Sequence, residues 1–155
     1  MQIKPAGPED AARLTAIAFA AKRSWGYPER WMESWRDLLT IKPEFIIGHE
    51  TCLAVIEDQA VGFYALGRNG DRMELLHLWV LPGVMGRGIG RSLFLHALEN
   101  ARALGCRELE IESDPNARGF YERLGARCVG LKQTEIQQER RELPVLICPA
   151  SRRSG

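Results

Sequence analysis

Apolar residues change their spacing twice along this chain. Leu14, Ile17, Ala18 and Ala21 recur three and four positions apart, which predicts a helix. Gly7-Pro8-Glu9-Asp10 supplies its start, with proline at the first position and acids in the first turn, and the helix runs to about Trp25. Gly26-Tyr27-Pro28 breaks it. A second helix follows, with Trp31, Trp35 and Leu38 on one stripe and Glu33, Arg36 and Asp37 elsewhere. Ahead of both, the alternation around Ile3 predicts an edge strand. Residues 41–50, IKPEFIIGHE, read as a loop or a short strand.

From Thr51 the period drops to two. TCLAVIE, AVGFYALG and MELLHLWVL are three strands joined by Glu57-Asp58-Gln59 and Arg68-Asn69-Gly70-Asp71. Asn-Gly is a strong hairpin signal, because a type I′ turn needs positive φ at both central residues. An antiparallel meander is expected. Its third strand carries Leu75, Leu76, Leu78, Trp79 and Val80, apolar on both faces, so it reads as a central strand covered on both sides. Glu74 and His77 interrupt it, one on each face. Polar groups in such a strand need a partner, a channel or a job.

The period changes again after Pro82. Gly83, Gly86, Gly88 and Gly90 lead into a helix whose stripe is Ile89, Leu93, Phe94, Ala97, Leu98 and Ala101, ending near Gly105. Then come the strand RELEIES, a helix PNARGFYERLG stopped by Gly125, and two strands, ARCVGLK and ELPVLIC. The order is strand, two helices, three hairpin strands, helix, strand, helix, two strands. This is a mixed α/β class with no internal repeat, read as a single domain over 1–148 with a tail at 149–155.

Composition narrows the classes. The 155 residues suit one domain, and 45% apolar with 26% charged residues is ordinary for a globular protein. A formal charge of +1 supplies no field for nucleic acid or an anionic membrane. No run approaches the ~20 apolar residues of a membrane span, and MQIKPAGPED lacks the apolar core of a secretory signal. Cys52, Cys106, Cys128 and Cys148 are widely spaced, which favours reduced thiols, a cytoplasmic setting and no metal site.

The glycine run is the candidate chemistry. Glycines at alternate positions bring the backbone close to a ligand, the new helix adds unpaired N–H groups, and Arg87 and Arg91 add positive charge. Such a cup holds a phosphate or pyrophosphate. The dinucleotide fingerprint G-x-G-x-x-G fails, since its third glycine would be Arg91 or Leu93, and GRGIGRS lacks the ending of a nucleotide P-loop.

Two stretches carry a closer resemblance. Leu78-Trp79-Val80-Leu81-Pro82 followed by Met85-Gly86-Arg87-Gly88-Ile89-Gly90 is similar to the pyrophosphate loop of the GNAT family, the acyl-CoA-dependent N-acyltransferases, in the form L-x-V-x-P and Arg/Gln-x-x-Gly-x-Gly/Ala. Asp114-Pro115-Asn116-Ala117-Arg118-Gly119-Phe120-Tyr121-Glu122-Arg123-Leu124-Gly125 resembles that family's Asn-x-x-Ala-x-x-Phe-Tyr-x-x-x-Gly. Met85 stands where Arg or Gln is usual, and Asp114 at the usual Asn, with Asn116 two residues on.

The resemblance implies a GNAT-like fold, a mostly antiparallel sheet of six to seven strands flanked by about four helices. It implies acetyl-CoA as the acyl donor and an amine of a small molecule or peptide as acceptor. Leu78, Trp79 and Val80 would hold the pantetheine by their backbone, with the Val80 N–H on the carbonyl oxygen. Met85, Gly86, Arg87, Gly88, Ile89, Gly90, Arg91 and Ser92 would take the pyrophosphate, with Asn116 and Phe120 also against the cofactor. Glu74 stands where a branch of the family keeps its general base, and His77 is the other candidate, each with a plain core reading beside it. Tyr121 would serve the departing thiolate. The first two helices cover the acceptor in this fold, so Trp25, Tyr27 and Trp31 are candidate pocket residues. Family members are often dimers, which makes a homodimer one expected assembly. A non-catalytic acyl-CoA-binding module is the alternative function.

Overall fold

A seven-stranded sheet in the order β1-β2-β3-β4-β5-β7-β6 organises residues 1–150, which the computed structural model describes. β1 (Gln2–Pro5) pairs antiparallel with β2 (Glu50–Ile56), and Ile3 opposes Ala54. β3 (Gln59–Asn69) and β4 (Arg72–Val80) complete the meander. Within the meander, the turn that carries positive φ at both central residues is Glu57-Asp58, at 51° and 63°. At Asn69-Gly70 the expectation is corrected. Asn69 stays in the strand and Gly70 alone takes positive φ, 63°, the pattern of a type II′ turn.

Burial also corrects which strand is covered on both sides. In β3, Val61 through Leu66 are all buried in succession. In β4 only Met73 and Leu75 are buried, while Leu76 is 37% exposed and Leu78 to Val80 are half-buried. β4 therefore has one face that other protein atoms leave partly open.

Among the described residues there are six helices rather than the expected four or so, besides short 3₁₀ turns. α1 (Ala11–Arg23) buries Leu14, Ile17, Ala18 and Ala21 as the pattern requires, and Asp10 ties its start by accepting from the Gly7 N–H at 2.8 Å. The segment around the tryptophans is two helices, α2 (Glu29–Ser34) and α3 (Arg36–Leu39), because Trp35 at φ −92°, ψ 2° leaves the helical region. The break turns Leu38 outward at 70% exposure and buries Leu39 instead. Residues 43–48, read as loop or strand, form α4 (Pro43–Gly48), opened by Pro43 at the first position with Ile46 buried. Six residues are too few for periodicity to announce a helix.

The chain forms two compact units. One gathers Met1–Ala65 and His77–Phe94, the other Leu66–Leu76 and the chain from Leu95 onward. The first has a core of Leu14, Ile17, Met32, Leu39, Ile41, Ile46, Leu53 and Phe63, against which Trp35, Phe45 and Trp79 pack. In the second, β5 (Glu108–Glu112) runs parallel to β4 from Met73↔Leu109 to Leu75↔Ile111, and β4 continues through Leu76–Val80 beyond that last pair. β7 (Glu139–Pro149) lies antiparallel between β5 and β6 (Arg127–Ile136), with a bulge in β6 between Cys128 and Gly130. α5 (Ile89–Ala103) and α6 (Arg118–Arg123) complete the elements. β7 reaches Pro149, and Ala150 is buried with its N–H on the Arg107 carbonyl at 2.8 Å. The rest of the tail, 151–155, lies outside the described residues. Among the described residues no helix is long and apolar enough to cross a membrane. All four cysteines are free thiols; Cys52, Cys106 and Cys148 are buried and Cys128 half-buried.

Candidate active site

In the first unit, the end of β4, a loop and the first turns of α5 form one continuous backbone feature. Leu81 still donates to Val61 at 2.8 Å, so the sheet holds the chain to the edge of the loop. Pro82–Val84 is a 3₁₀ turn, closed by Met85 N–H to Pro82. Gly86 and Gly88 then take φ of +83° and +81°, which a residue with a Cβ adopts only with strain, and a Cβ on either would meet nothing within 4 Å. The space beside both glycines is open to a ligand.

Ser92 N–H donates to the Gly88 carbonyl at 3.0 Å, the first helical bond of α5. The N–H groups of Ile89, Gly90 and Arg91 precede it and have no acceptor within the helix. Ser92, whose N–H is spent in that bond, has its hydroxyl left to offer. Buried Ile89 anchors the turn while Arg87 and Arg91 are exposed beside it. Donors converging at a positive helix end, flanked by guanidinium groups, match a pyrophosphate. Met85, 44% exposed, adds no charge.

The same unit gathers aromatic rings. Tyr27 stacks on Trp31 with centroids 5.6 Å apart and meets Trp35 edge-on at 5.0 Å; Trp31 and Trp35 are 5.9 Å apart. Buried Lys22 brings its Nζ to 4.2 Å from the Trp35 centroid, 5.0 Å from Tyr27 and 6.0 Å from Trp79. Trp25 differs from its neighbours in being 41% exposed. Sequence reading overlooked Lys22, although its signal was available: it occupies the position four after Ala18, on the buried stripe of α1.

His77 Nδ1 accepts from the Trp79 indole N–H at 2.9 Å. The ring is packed between Phe45, edge-on at 5.6 Å, and Phe63 at 5.9 Å. Burial, and secondarily the His49 charge, push its pKa down from 6.5 to about 4. The neutral ring therefore carries its proton on Nε2. The sign follows: between about pH 6.5 and 4 the unfolded chain binds a proton that the folded one refuses, so stability falls as pH falls through this window. His77→Gln, which keeps an acceptor for Trp79, is expected to flatten that loss, worth at most about 3 kcal/mol. Urea unfolding at neutral pH and at about pH 4.5 measures it; an unchanged acid limb would place the titrating group elsewhere.

In the second unit, Glu74 is half-buried and its Oε1 accepts from the Asn69 side-chain amide, Nδ2, at 2.8 Å. Asp114 caps the turn before α6, accepting from the Asn116 N–H at 2.8 Å and Nδ2 at 3.0 Å, with Arg141 3.9 Å away. Sequence reading did not reach Arg141, which lies far along the chain on β7. Tyr121 is buried and meets Phe120 edge-on at 5.1 Å. Burial, then the neighbouring Asp114 charge, raise its phenol well above the ordinary tyrosine value. It is a protonated donor at any ordinary pH.

Residues 14–126 match the acetyltransferase (GNAT) family. The chain belongs to the GNAT family. Among its relatives, this GNAT protein is 31% identical over 85 residues to the uncharacterized N-acetyltransferase YjgM of Escherichia coli, a stretch covering 50% of this chain and 51% of that one. It is 33% identical over 90 residues to the peptidyl-lysine N-acetyltransferase YjaB of Salmonella typhimurium, covering 58% and 57%. The matched stretches thus span a little over half the length of these curated relatives. Among solved structures, a GCN5-related N-acetyltransferase from Rhodopseudomonas palustris superposes with a TM-score of 0.80 at 25% identity, covering 96% of this chain and 94% of that one. The PaiA N-acetyltransferase of Thermoplasma acidophilum, solved with coenzyme A, shares the fold at TM-score 0.78 and 20% identity, over 96% and 98% of the two chains. The GNAT fold is therefore the fold of this chain.

Proposed function

We propose that this GNAT protein transfers an acetyl group from acetyl-CoA to a primary amine of a small molecule or peptide, by direct attack in a ternary complex. The observation that carries the reading is the loop from Met85 to Arg91: two glycines at left-handed φ and a helix start with three uncommitted N–H groups, within the stretch that matches the family. The coenzyme A bound by the Thermoplasma relative supports the choice of ligand. We also propose that residues 1–148 work as one acyltransferase domain; the family match over 14–126 takes in segments of both units.

The donor set fits the cofactor. Gly86 to Arg91, with Arg87 and Arg91, hold the pyrophosphate, and the Leu78–Val80 backbone holds the pantetheine arm. When bound, acetyl-CoA supplies a thioester whose C–S bond breaks as the amide C–N bond forms. The Val80 N–H stabilises charge on the carbonyl oxygen. An amine with a pKa near ~10 arrives mostly protonated, so a base must take its proton. Glu74 is favoured here: Asn69 engages Oε1, leaving Oε2 to accept, whereas the acceptor nitrogen of His77 is committed to Trp79. His77 then serves to hold the Trp79 indole. Tyr121 gives its phenolic proton to the departing sulfur, and Asn116 and Phe120 pack beside the cofactor. Trp25, Tyr27 and Trp31 border the acceptor. The free cysteines support a cytoplasmic setting.

Release of CoA thiol across an amine panel tests the reading. Turnover on at least one amine is expected. Tight binding of CoA with no turnover on any amine would instead favour an acyl-CoA-binding module, the alternative that Met85 supports. Met85→Arg should tighten CoA by up to about tenfold through a charge-assisted contact at an exposed position. Calorimetric titration measures this, and a marked loss of affinity would move the pyrophosphate away from this loop.

A further inference from the structure

Asp114 holds the turn from which the proposed leaving-group donor is presented. Its Oδ1 accepts from the Asn116 N–H at 2.8 Å and from Asn116 Nδ2 at 3.0 Å, so one carboxylate oxygen fixes both the backbone and the amide of that residue. Its backbone carbonyl accepts from the Ala117 N–H at 2.9 Å and from the Ser113 hydroxyl at 2.6 Å. α6 starts directly afterwards, and Tyr121 is its fourth residue.

A carboxylate is a demanding group in this place. The family's usual Asn brings no charge, whereas the Asp114 side chain is charged and only 9% exposed, and a covered charge requires an opposite one nearby. That charge comes from β7, the strand beside β5. Arg141 places a guanidinium nitrogen 3.9 Å from Asp114 Oδ2, and its own side chain is 12% exposed. The separation makes this a charge contact rather than a hydrogen bond. Two bonds of the sheet keep the partners in place. Ser113 N–H donates to the Pro144 carbonyl at 2.8 Å, and Arg141 stands opposite Thr134 in the β6–β7 ladder.

The pair bears on the chemistry through Tyr121. Departure of CoA puts negative charge on sulfur, where Tyr121 is assigned to deliver its proton. The Asp114 charge is felt at that phenol, whose ionisation it opposes together with burial. The same negative field opposes charge arriving on the sulfur, and a guanidinium beside Asp114 offsets it.

We propose that Arg141 is a positioning residue for acyl transfer, which offsets the field of Asp114 at the leaving-group end while Asp114 stays in place to hold Asn116 and the start of α6. This rests on the acyltransfer reading above and adds to it a residue outside both motifs. Arg141 acts through Asp114, not on the reacting atoms.

The test compares kcat and KM for CoA-thiol release among the wild type, Arg141→Met, Arg141→Lys, Asp114→Asn and the double variant Asp114→Asn/Arg141→Met. Arg141→Met is expected to lower kcat by about tenfold, the weight of one unit charge acting through a protein interior, with KM for acetyl-CoA moved less than about threefold. Arg141→Lys keeps the charge and should keep kcat within about threefold of wild type. Asp114→Asn keeps an oxygen for the Asn116 N–H and removes the field. In that background the same Arg141→Met change should cost less than about threefold, whereas a residue that only packs β7 against the turn would cost the same in both backgrounds.

Removing one partner of a covered ion pair can unfold a chain. Should Arg141→Met fail to fold, the double variant decides beside Asp114→Asn: equal kcat supports the proposal, and a tenfold deficit overturns it. Full activity in Arg141→Met also overturns it, as does a loss that persists in the Asp114→Asn background or that Arg141→Lys shares in full. Binding of CoA by the wild type with no turnover on any amine would overturn the acyltransfer reading, and this proposal with it.

Discussion

Tyr121→Phe is expected to lower kcat by about a hundredfold or more while leaving CoA affinity within a few-fold of wild type. General-acid assistance is worth roughly 10²–10⁴ in rate, and the substitution removes one oxygen from a buried ring while keeping its shape. The phenol is suited to the role. Burial and the Asp114 charge both oppose its ionisation, so it stays protonated throughout the working pH range. The chain also fixes its position: Leu124 and Ala126 both donate to the Tyr121 carbonyl, at 3.0 and 3.1 Å, tying the end of α6 to the start of β6. Phenylalanine keeps those backbone bonds and the edge-on contact with Phe120. Steady-state thiol release and CoA titration on the same protein separate the two effects. A variant that loses CoA binding in proportion to rate would make Tyr121 a packing residue.

Gly62→Ala should be the most damaging single-methyl change in the first unit. A Cβ at Gly62 would lie 2.8 Å from the Trp79 carbonyl oxygen, 3.0 Å from a Leu93 methyl and 3.4 Å from Val80. The first of these is backbone, which cannot swing aside as a side chain can. β4 must therefore shift at Trp79 and Val80, where the carbonyl-polarising N–H is proposed, and Leu93 must shift at the base of α5. Overpacking of this kind costs about 1–3 kcal/mol. Loss of CoA affinity is expected along with the lowered stability, because the displaced strand feeds the Met85–Arg91 loop. Gly130→Ala is the matched control, since nothing lies within 4 Å of a Cβ there. Urea unfolding and CoA titration of both variants check the contrast. A Gly62→Ala protein as stable as the control, with full affinity, would show that β4 yields at no cost.

What the sequence disclosed, and what it withheld, follows physical lines. The α1 stripe, the strands of the meander and the glycine run were legible because each rests on spacing or on glycine's freedom, which are local. The second helix was misread at Trp35, because a helix break set by packing leaves no proline or glycine to announce it. α4 was missed for its brevity. β4 was taken for the strand buried on both sides because its composition is apolar; β3, with Gly62, Ala65 and Gly67 diluting its pattern, is the one that is buried. In the candidate site, Glu74, Tyr121 and the loop were reached by motif. Lys22 was not: its place on the α1 stripe announces burial, but spacing along one helix does not announce the rings that other elements bring around it. Nor could spacing say that Trp79 would occupy the acceptor nitrogen of His77, a pairing two residues apart along one strand.

The cysteines carry a practical consequence for every measurement of CoA release. Chromogenic disulfide reagents report any accessible thiolate, the protein's own as well as the product's. Cys52, Cys106 and Cys148 are shielded by burial, which also pushes the Cys52 and Cys148 thiols up. Cys128 differs: half-buried on the bulged strand β6, its Sγ engages the Gly130 carbonyl at 3.3 Å. The folded protein should contribute a background of a single slowly reacting thiol per chain, and Cys128→Ser should remove it. A burst of further thiols would then serve as a readout of unfolding in the same cuvette, which distinguishes an inactive variant from a collapsed one.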